Sequence, residues 1–240
     1  MLHDWRIEPR EHARHEQRRG RRHAFAHLEP ARTALVVVDM VPFFLDENPY
    51  ARGIVPHVNA LAGALRAAGG TVAWVVPRPE APSPARIEHL GPRVAAFYAR
   101  SGGDGPPHRR LSQELDVAPD DLVEEKAAAS AFFPGRCELQ ARLEDRGIDT
   151  VVVAGTVANV CCESTARDAA TLGHRVIMVA DANAAVRDQD LNATLHTIYR
   201  SFGDVRPTSE VLALIGRAGR PDAGARDDAA VPAGDAAEES

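Results

Sequence analysis

Short β-branched runs separated by helical patterns recur from residue 34 onward, and this alternation constrains the fold more than any other feature of the chain. The runs are ALVVV (34–38), TVAWVV (71–76), DLVEE (121–125), TVVVAG (150–155), RVIMVA (175–180) and a short GDVRP (203–207). Between the first two, IVPHVNALAGALRAAGG puts Ile54, Val58, Leu61 and Leu65 on one helical face and stops at Gly69. ELQARLEDRG (138–147) and CESTARDAATLG (162–173) also read as helices ending at glycines, and DLNATLHTIYRSF (190–202) and TSEVLALIG (208–216) supply two more. Strands made almost wholly of Val, Ile and Ala are apolar on both faces, so the sheet must be parallel and covered by helices on each side. The expected architecture is a three-layer α/β/α domain with a six-stranded, mainly parallel, Rossmann-like sheet.

The chain has 240 residues, 45% of them hydrophobic, enough for one such domain rather than two. We place it at residues 31–216, after an arginine-rich arm (1–30) and before a tail (217–240) rich in Ala, Gly, Pro and acid. The tail has no apolar periodicity and reads as disordered. The stretch from Pro77 to Pro119 reads as a helix plus loops near a pocket mouth. A net charge of −6 leaves no electrostatic footprint for nucleic acid. The arm mixes its arginines with Glu8, Glu11 and Glu16, so it reads as packing on the body or on a neighbouring subunit. No segment approaches the roughly 20 apolar residues of a membrane span, and MLHDWRIEPR lacks the apolar core of a secretory signal, so we expect a cytoplasmic protein. Three cysteines, two of them adjacent at 161 and 162, make no disulfide framework.

In an open parallel sheet ligands bind beyond the carboxyl ends of the strands, where strand order reverses. Three polar groups fall at such ends: Asp39 in LVVVDMVPFF, Lys126 in LVEEKAAAS and Cys161 in VVVAGTVANVCCESTARDAA. An aspartate there can simply cap a turn, and a cysteine can simply pack. The lysine is singular: among 28 basic residues it is the one that is not arginine. A compact ammonium on a flexible stem suits a tight pocket as a planar guanidinium does not. Taken together, the three suggest a nucleophilic site. Cys161 would sit at the first turn of a helix, where free N–H groups and the dipole favour a thiolate of lowered pKa. Asp39 would take the thiol proton and later activate water, and Lys126 would offset the charge of the two anions. In a 3-2-1-4-5-6 strand order Asp39 and Cys161 flank the switch point, and Lys126 has to reach inward from further out.

These motifs resemble those of the isochorismatase-like cysteine hydrolases, a family that includes nicotinamidases, N-carbamoylsarcosine amidase, ureidoacrylate hydrolases and biuret hydrolases. The resemblance runs from about Ala34 to Ile215. VVVDMVPFF is similar to the family's first-strand motif with its catalytic aspartate (Asp39), EEKAAASAFF to its lysine motif (Lys126), and GTVANVCCESTARDAA to its nucleophile segment, with the thiol at Cys161. The resemblance implies a non-proline cis peptide at Thr156-Val157 and an oxyanion hole from N–H groups around Val157, Ala158 and Cys161. It also implies a homodimer or homotetramer.

Two departures matter. Val41 stands where many relatives have glutamine, and VVPRPEAPSP after the second strand lacks the histidine of the nicotinamidase metal cluster, so neither metal nor cofactor is expected. The function these residues imply is cofactor-independent hydrolysis of a carbon–nitrogen bond in a small amide or ureido substrate through a thioester on Cys161. Phe44, Trp74 and Phe132 are candidates for the apolar walls of its pocket. Vinyl ether hydrolysis of isochorismate, which needs no thiol, and ligand binding without turnover are the competing readings. Dinucleotide binding fails, because GTVANV lacks the glycines that let backbone approach a pyrophosphate.

Overall fold

The computed structural model describes residues 1–46 and 48–218. Among them six strands form one sheet: β1 (Thr33–Val38), β2 (Thr71–Pro77), β3 (Leu122–Lys126), β4 (Thr150–Thr156), β5 (Arg175–Ala184) and β6 (Asp204–Arg206). Their spatial order is β3-β2-β1-β4-β5-β6 and every pairing is parallel. The sheet is thus wholly parallel rather than mainly so, and the order reverses between β1 and β4.

The helices in chain order are α1 (Pro9–Arg19), α2 (Pro42–Leu45), α3 (Pro49–Gly53), α4 (Val55–Ala67), α5 (Pro84–Leu90), α6 (Pro92–Ala99), α7 (Pro107–Arg110), α8 (Leu139–Glu144), α9 (Glu163–Thr171), α10 (Asp188–Ser201) and α11 (Thr208–Ala218). Alternate strand residues sort to the two faces, as the period of 2 requires. Leu35, Val37, Val72, Trp74 and Val152 pack with α4 and α11 on one side. Val36, Val38, Val75, Val151 and Val153 pack with α8, α9 and α10 on the other. Each fully buried Val or Leu contributes about 1.5–3 kcal/mol, and Val58, Leu61 and Leu65 of α4 are all at most 1% exposed.

Four features depart from the sequence reading. The stretch after Pro77 holds three short helices, α5 to α7, where one was expected; Arg110 ties it to the strand ends by donating to Pro77 O and Gly102 O, both at 3.1 Å. β5 continues to Ala184 because the sheet tolerates a bulge: β4 advances from Val153 to Gly155 while β5 advances from Met178 to Asn183. The Asn183 amide fills the gap, donating to Val153 O at 2.9 Å and Val179 O at 2.7 Å. The arm contains a helix, α1, and lies on its own chain: His15 Nε2–H donates to Tyr199 O at 3.0 Å. Last, α11 extends to Ala218, into the start of the stretch read as a disordered tail; residues 219–240 of that stretch lie outside the described residues.

Candidate active site

Asp39, Lys126 and Cys161 converge at the carboxyl edge of the sheet, on either side of the switch point. β1 and β4 end side by side, with Val38 opposite Gly155. Gly155 adopts φ 121°, and a Cβ there would collide with the Val38 carbonyl, so only glycine lets the two strand ends approach this closely. Asp39 itself has φ 55° and is held by its N–H to Val75 O at 2.8 Å. Aspartate tolerates this left-handed conformation better than most residues, and the turn carries its carboxylate inward to 1% exposure.

Lys126 is the last residue of β3, in register with Pro77 of β2. β3 is two strand spacings from β1, roughly 10 Å, and the side chain crosses this gap. Nζ stands 2.9 Å from Asp39 Oδ2, donates to Ala128 O at 3.1 Å and donates to Cys161 Sγ at 3.5 Å. Two of its three protons thus have hydrogen-bond acceptors. The Asp39 contact is an ion pair lying off the donor line, since neither carboxylate oxygen has a well-aligned hydrogen bond; with both groups at most 4% exposed, the charge attraction dominates.

Cys161 lies in a π-helical turn, Ala158–Cys162, that leads from β4 into α9. The peptide Thr156-Val157 is cis, where the family resemblance places it. The N–H groups of Val160 and Cys162 turn back onto Val157 O at 3.0 and 3.3 Å. Cys161 is a partly exposed residue, whereas Cys162 is fully buried.

The electrostatics correct one expectation. Burial, and then the charge of Asp39, push the Cys161 thiol up to about 12, and Lys126 offsets only part of this. The helix start does not make a resting thiolate; at neutral pH the proton is on sulfur. Burial also raises the Asp39 carboxyl, against the opposing pull first of the Lys126 charge and then of the neighbouring Cys161 thiol. For Lys126 burial works toward deprotonation, but Asp39 and Cys161 more than reverse it and hold the ammonium well above its ordinary range.

The candidate wall residues fare differently. Trp74 is fully buried and its indole N–H donates to Asp121 Oδ2 at 2.7 Å, so it belongs to the core and not to a pocket wall. Phe132, 2% exposed, packs in the opposite core with its ring 5.5 Å from that of His174. Phe44 is half-buried, edge-to-face with Phe43 at 5.0 Å.

Sequence reasoning missed the polar ties that register these loops. Ala131 N–H donates to the buried Thr165 Oγ1 at 3.1 Å, joining the segment after Lys126 to α9. Thr194 Oγ1–H donates to Glu163 Oε2 at 2.6 Å, joining α10 to the residue after Cys162. No motif signals such pairs, because each joins isolated residues far apart in sequence. Among the described residues no group of three or more His, Cys, Asp or Glu stands within metal-ligating reach, and no helix is long and apolar enough to cross a membrane.

A buried acid, a buried ammonium and a thiol thus meet at the switch point of a parallel α/β sheet. The chain belongs to the isochorismatase family: the family's model, described as the isochorismatase domain, matches residues 33–210. Its relatives include an uncharacterized isochorismatase family protein of Bacillus subtilis, 30% identical over 75% of this chain and 93% of that protein. A ureidoacrylate amidohydrolase of Rhizobium rhizogenes is 28% identical over 80% of this chain and 86% of that one. Among solved structures, a cysteine hydrolase from Pseudomonas syringae superposes with a TM-score of 0.70 at 32% identity, covering 82% of this chain and 98% of that one. N-carbamoylsarcosine amidase from Thermoplasma acidophilum gives 0.59 at 30% identity, with 74% and 96% covered.

Proposed function

We propose that this isochorismatase-family hydrolase cleaves a carbon–nitrogen amide or ureido bond of a small molecule, with Cys161 as nucleophile, Asp39 as general base and Lys126 as their electrostatic partner. The observation that carries the reading is the single ammonium in contact with both a buried carboxylate and the sulfur of a partly exposed cysteine. In this scheme Sγ attacks the carbonyl carbon as its proton passes to Asp39. The developing oxyanion is held by backbone N–H groups of the Val157–Cys161 turn, among them those of Val157, Ala158 and Cys161. The tetrahedral intermediate collapses, the C–N bond breaks, and the proton on Asp39 goes to the leaving nitrogen. Water, deprotonated by Asp39, then hydrolyses the thioester and frees the thiol. The ureidoacrylate amidohydrolase and N-carbamoylsarcosine amidase relatives support a substrate of this bond type.

The test is a panel of small amides and ureido acids assayed for ammonia release, with Cys161→Ala and iodoacetamide-treated enzyme in parallel. Release that disappears in both, while Cys161→Ala keeps the wild-type fold by circular dichroism, is the expected result. Turnover that survives loss of the thiol would refute the scheme.

A further inference from the structure

We infer that residues 1–7 form a strap that fixes the rim of the Cys161 site, with His3 as its positioning residue; the inference builds on the hydrolytic reading of that site. The strap lies outside the segment that matches the family model. Met1, Leu2 and Asp4 are exposed, yet His3 between them is 8% exposed. Its ring stacks on Tyr50 with centroids 3.7 Å apart and planes 10° apart. The Ala185 N–H donates to His3 Nε2 at 3.1 Å, so Nε2 holds a lone pair. The ring proton is therefore on Nδ1, which donates to Asp188 Oδ1 at 2.6 Å. One neutral tautomer satisfies both partners.

What His3 grips gives the strap its meaning. Ala185 directly follows β5 and Asp188 begins α10, while Tyr50 lies in α3, on the loop that follows Asp39. Asn48 reaches the same peptide from that loop: its Nδ2 donates to Ala185 O at 3.0 Å, and its Oδ1 accepts from Tyr50 N–H and Ala51 N–H. His3 and Asn48 therefore clasp Ala185 from both sides, tying the loop after β1 to the loop after β5. In the sheet order β4 lies between those two strands, and Cys161 follows β4. The tied loops flank the nucleophile turn on both sides. At its ends the strap is anchored again. A Cβ on Gly53 would collide with the Met1 carbonyl, so that close approach requires glycine. Arg6 N–H donates to Asn192 Oδ1 at 2.8 Å, and Asn192 Nδ2 donates to Asp4 O at 2.9 Å, fastening the strap to α10.

The experiment compares His3→Ala, Gly53→Ala and His3→Gln with the parent, all in a Cys137→Ala, Cys162→Ala background so that labelling reports Cys161. Strap release is read as tryptic cleavage after Arg6, the state of the rim as the iodoacetamide rate at Cys161, and substrate positioning as the split between KM and kcat. His3→Ala and Gly53→Ala should each release the strap, change the alkylation rate by about fivefold or more, and raise KM by a similar factor with kcat within about twofold. His3→Gln should restore the parent values, because its amide can accept from Ala185 N–H and donate to Asp188. A released strap with unchanged alkylation and KM overturns the inference, and so does a strap that stays protected in both His3→Ala and Gly53→Ala. If the parent turns over no member of the amide panel, the functional reading fails on its own, while cleavage and alkylation still decide whether the strap shapes the site.

Discussion

Replacing Lys126 with methionine keeps most of the stem and removes the charge, which isolates the ammonium's contribution to the site. The pair it breaks is 2.9 Å apart, with side chains 3% and 1% exposed. At an effective dielectric of about 20 the direct attraction is about 6 kcal/mol. Removing one partner of a buried pair typically costs roughly 3–5 kcal/mol, because the other is left charged without compensation. That is a large fraction of the roughly 5–15 kcal/mol that holds a domain folded. The loss should depend on pH in a defined direction. Asp39 already has a raised folded pKa with the lysine present, and without it the shift grows. A carboxyl whose folded pKa exceeds its unfolded value binds its proton more tightly in the native state. Native stability is then full below the unfolded pKa and is lost as pH rises toward the folded one. Urea unfolding followed by circular dichroism should show Lys126→Met weakest near pH 8, recovering by up to about 1.4 kcal/mol per pH unit on acidification. Lys126→Met combined with Asp39→Asn should regain most of the loss at pH 8, since no buried charge remains. A single variant costing less than about 1 kcal/mol at pH 8, or a double variant with no recovery, would refute the placement of this ion pair at the heart of the site.

Asp39→Asn should abolish amide turnover but speed iodoacetamide alkylation of Cys161 at neutral pH, because the Asp39 charge raises the thiol pKa and Lys126 lowers it; slower alkylation would contradict the charge assignment. Cys162→Ala removes a fully buried sulfur, and should cost about 1 kcal/mol while keeping most activity; loss of turnover here, with Cys161→Ala active, would reverse the choice of nucleophile. Trp74→Phe leaves the 2.7 Å bond to Asp121 unmade, which should cost about 1–3 kcal/mol in urea unfolding with KM unchanged; a large KM effect would return Trp74 to the pocket. Burial first, and then nearby arginines, lower the pKa of His12, His15 and His23 below the ordinary 6.5. The unfolded chain thus takes up protons that the folded arm refuses. Stability present above about pH 6.5 should fall as pH drops through it, and the drop in melting temperature from pH 7.5 to 5.5 should shrink in His15→Gln; an identical drop would exclude the arm histidines as its source.

The sheet was legible because its strands are apolar on both faces, and each expected strand lies within a residue or two of its place except β5. That strand runs on through Asp181 and Asn183, whose polar side chains break the apolar run that marks a buried strand; the amide of Asn183 is spent on the bulge itself. Helix α1 was invisible for a related reason. The residues it buries are Glu11 and His15, so its inward face carries no hydrophobic period for a sequence reading to find. The acid, amine and thiol were readable from their positions at strand ends. The placement of Lys126 was not, because nothing in the local sequence says how a side chain on β3 crosses the end of β2. Trp74 was misassigned since a large aromatic residue in a strand reads the same whether its indole meets a ligand or, as here, an aspartate of the core.

The one electrostatic expectation that failed, a resting thiolate, follows from counting charges in the site. One ammonium faces a carboxylate and a thiol, all largely removed from water, and it can neutralise one anion. Asp39 takes that role, being the stronger acid in water by several pKa units. A second anion on sulfur would leave the buried site with a net negative charge, so the proton stays on Cys161. This arrangement does not oppose the proposed chemistry. When Sγ attacks a carbonyl as its proton moves to Asp39, negative charge passes through sulfur to the substrate oxygen without resting on the sulfur. Lys126 then no longer shares its field with an ionised Asp39, so its full charge is available near the reacting centre. A thiol that ionises only as it reacts is also shielded from the oxidation and stray alkylation that follow thiolate character.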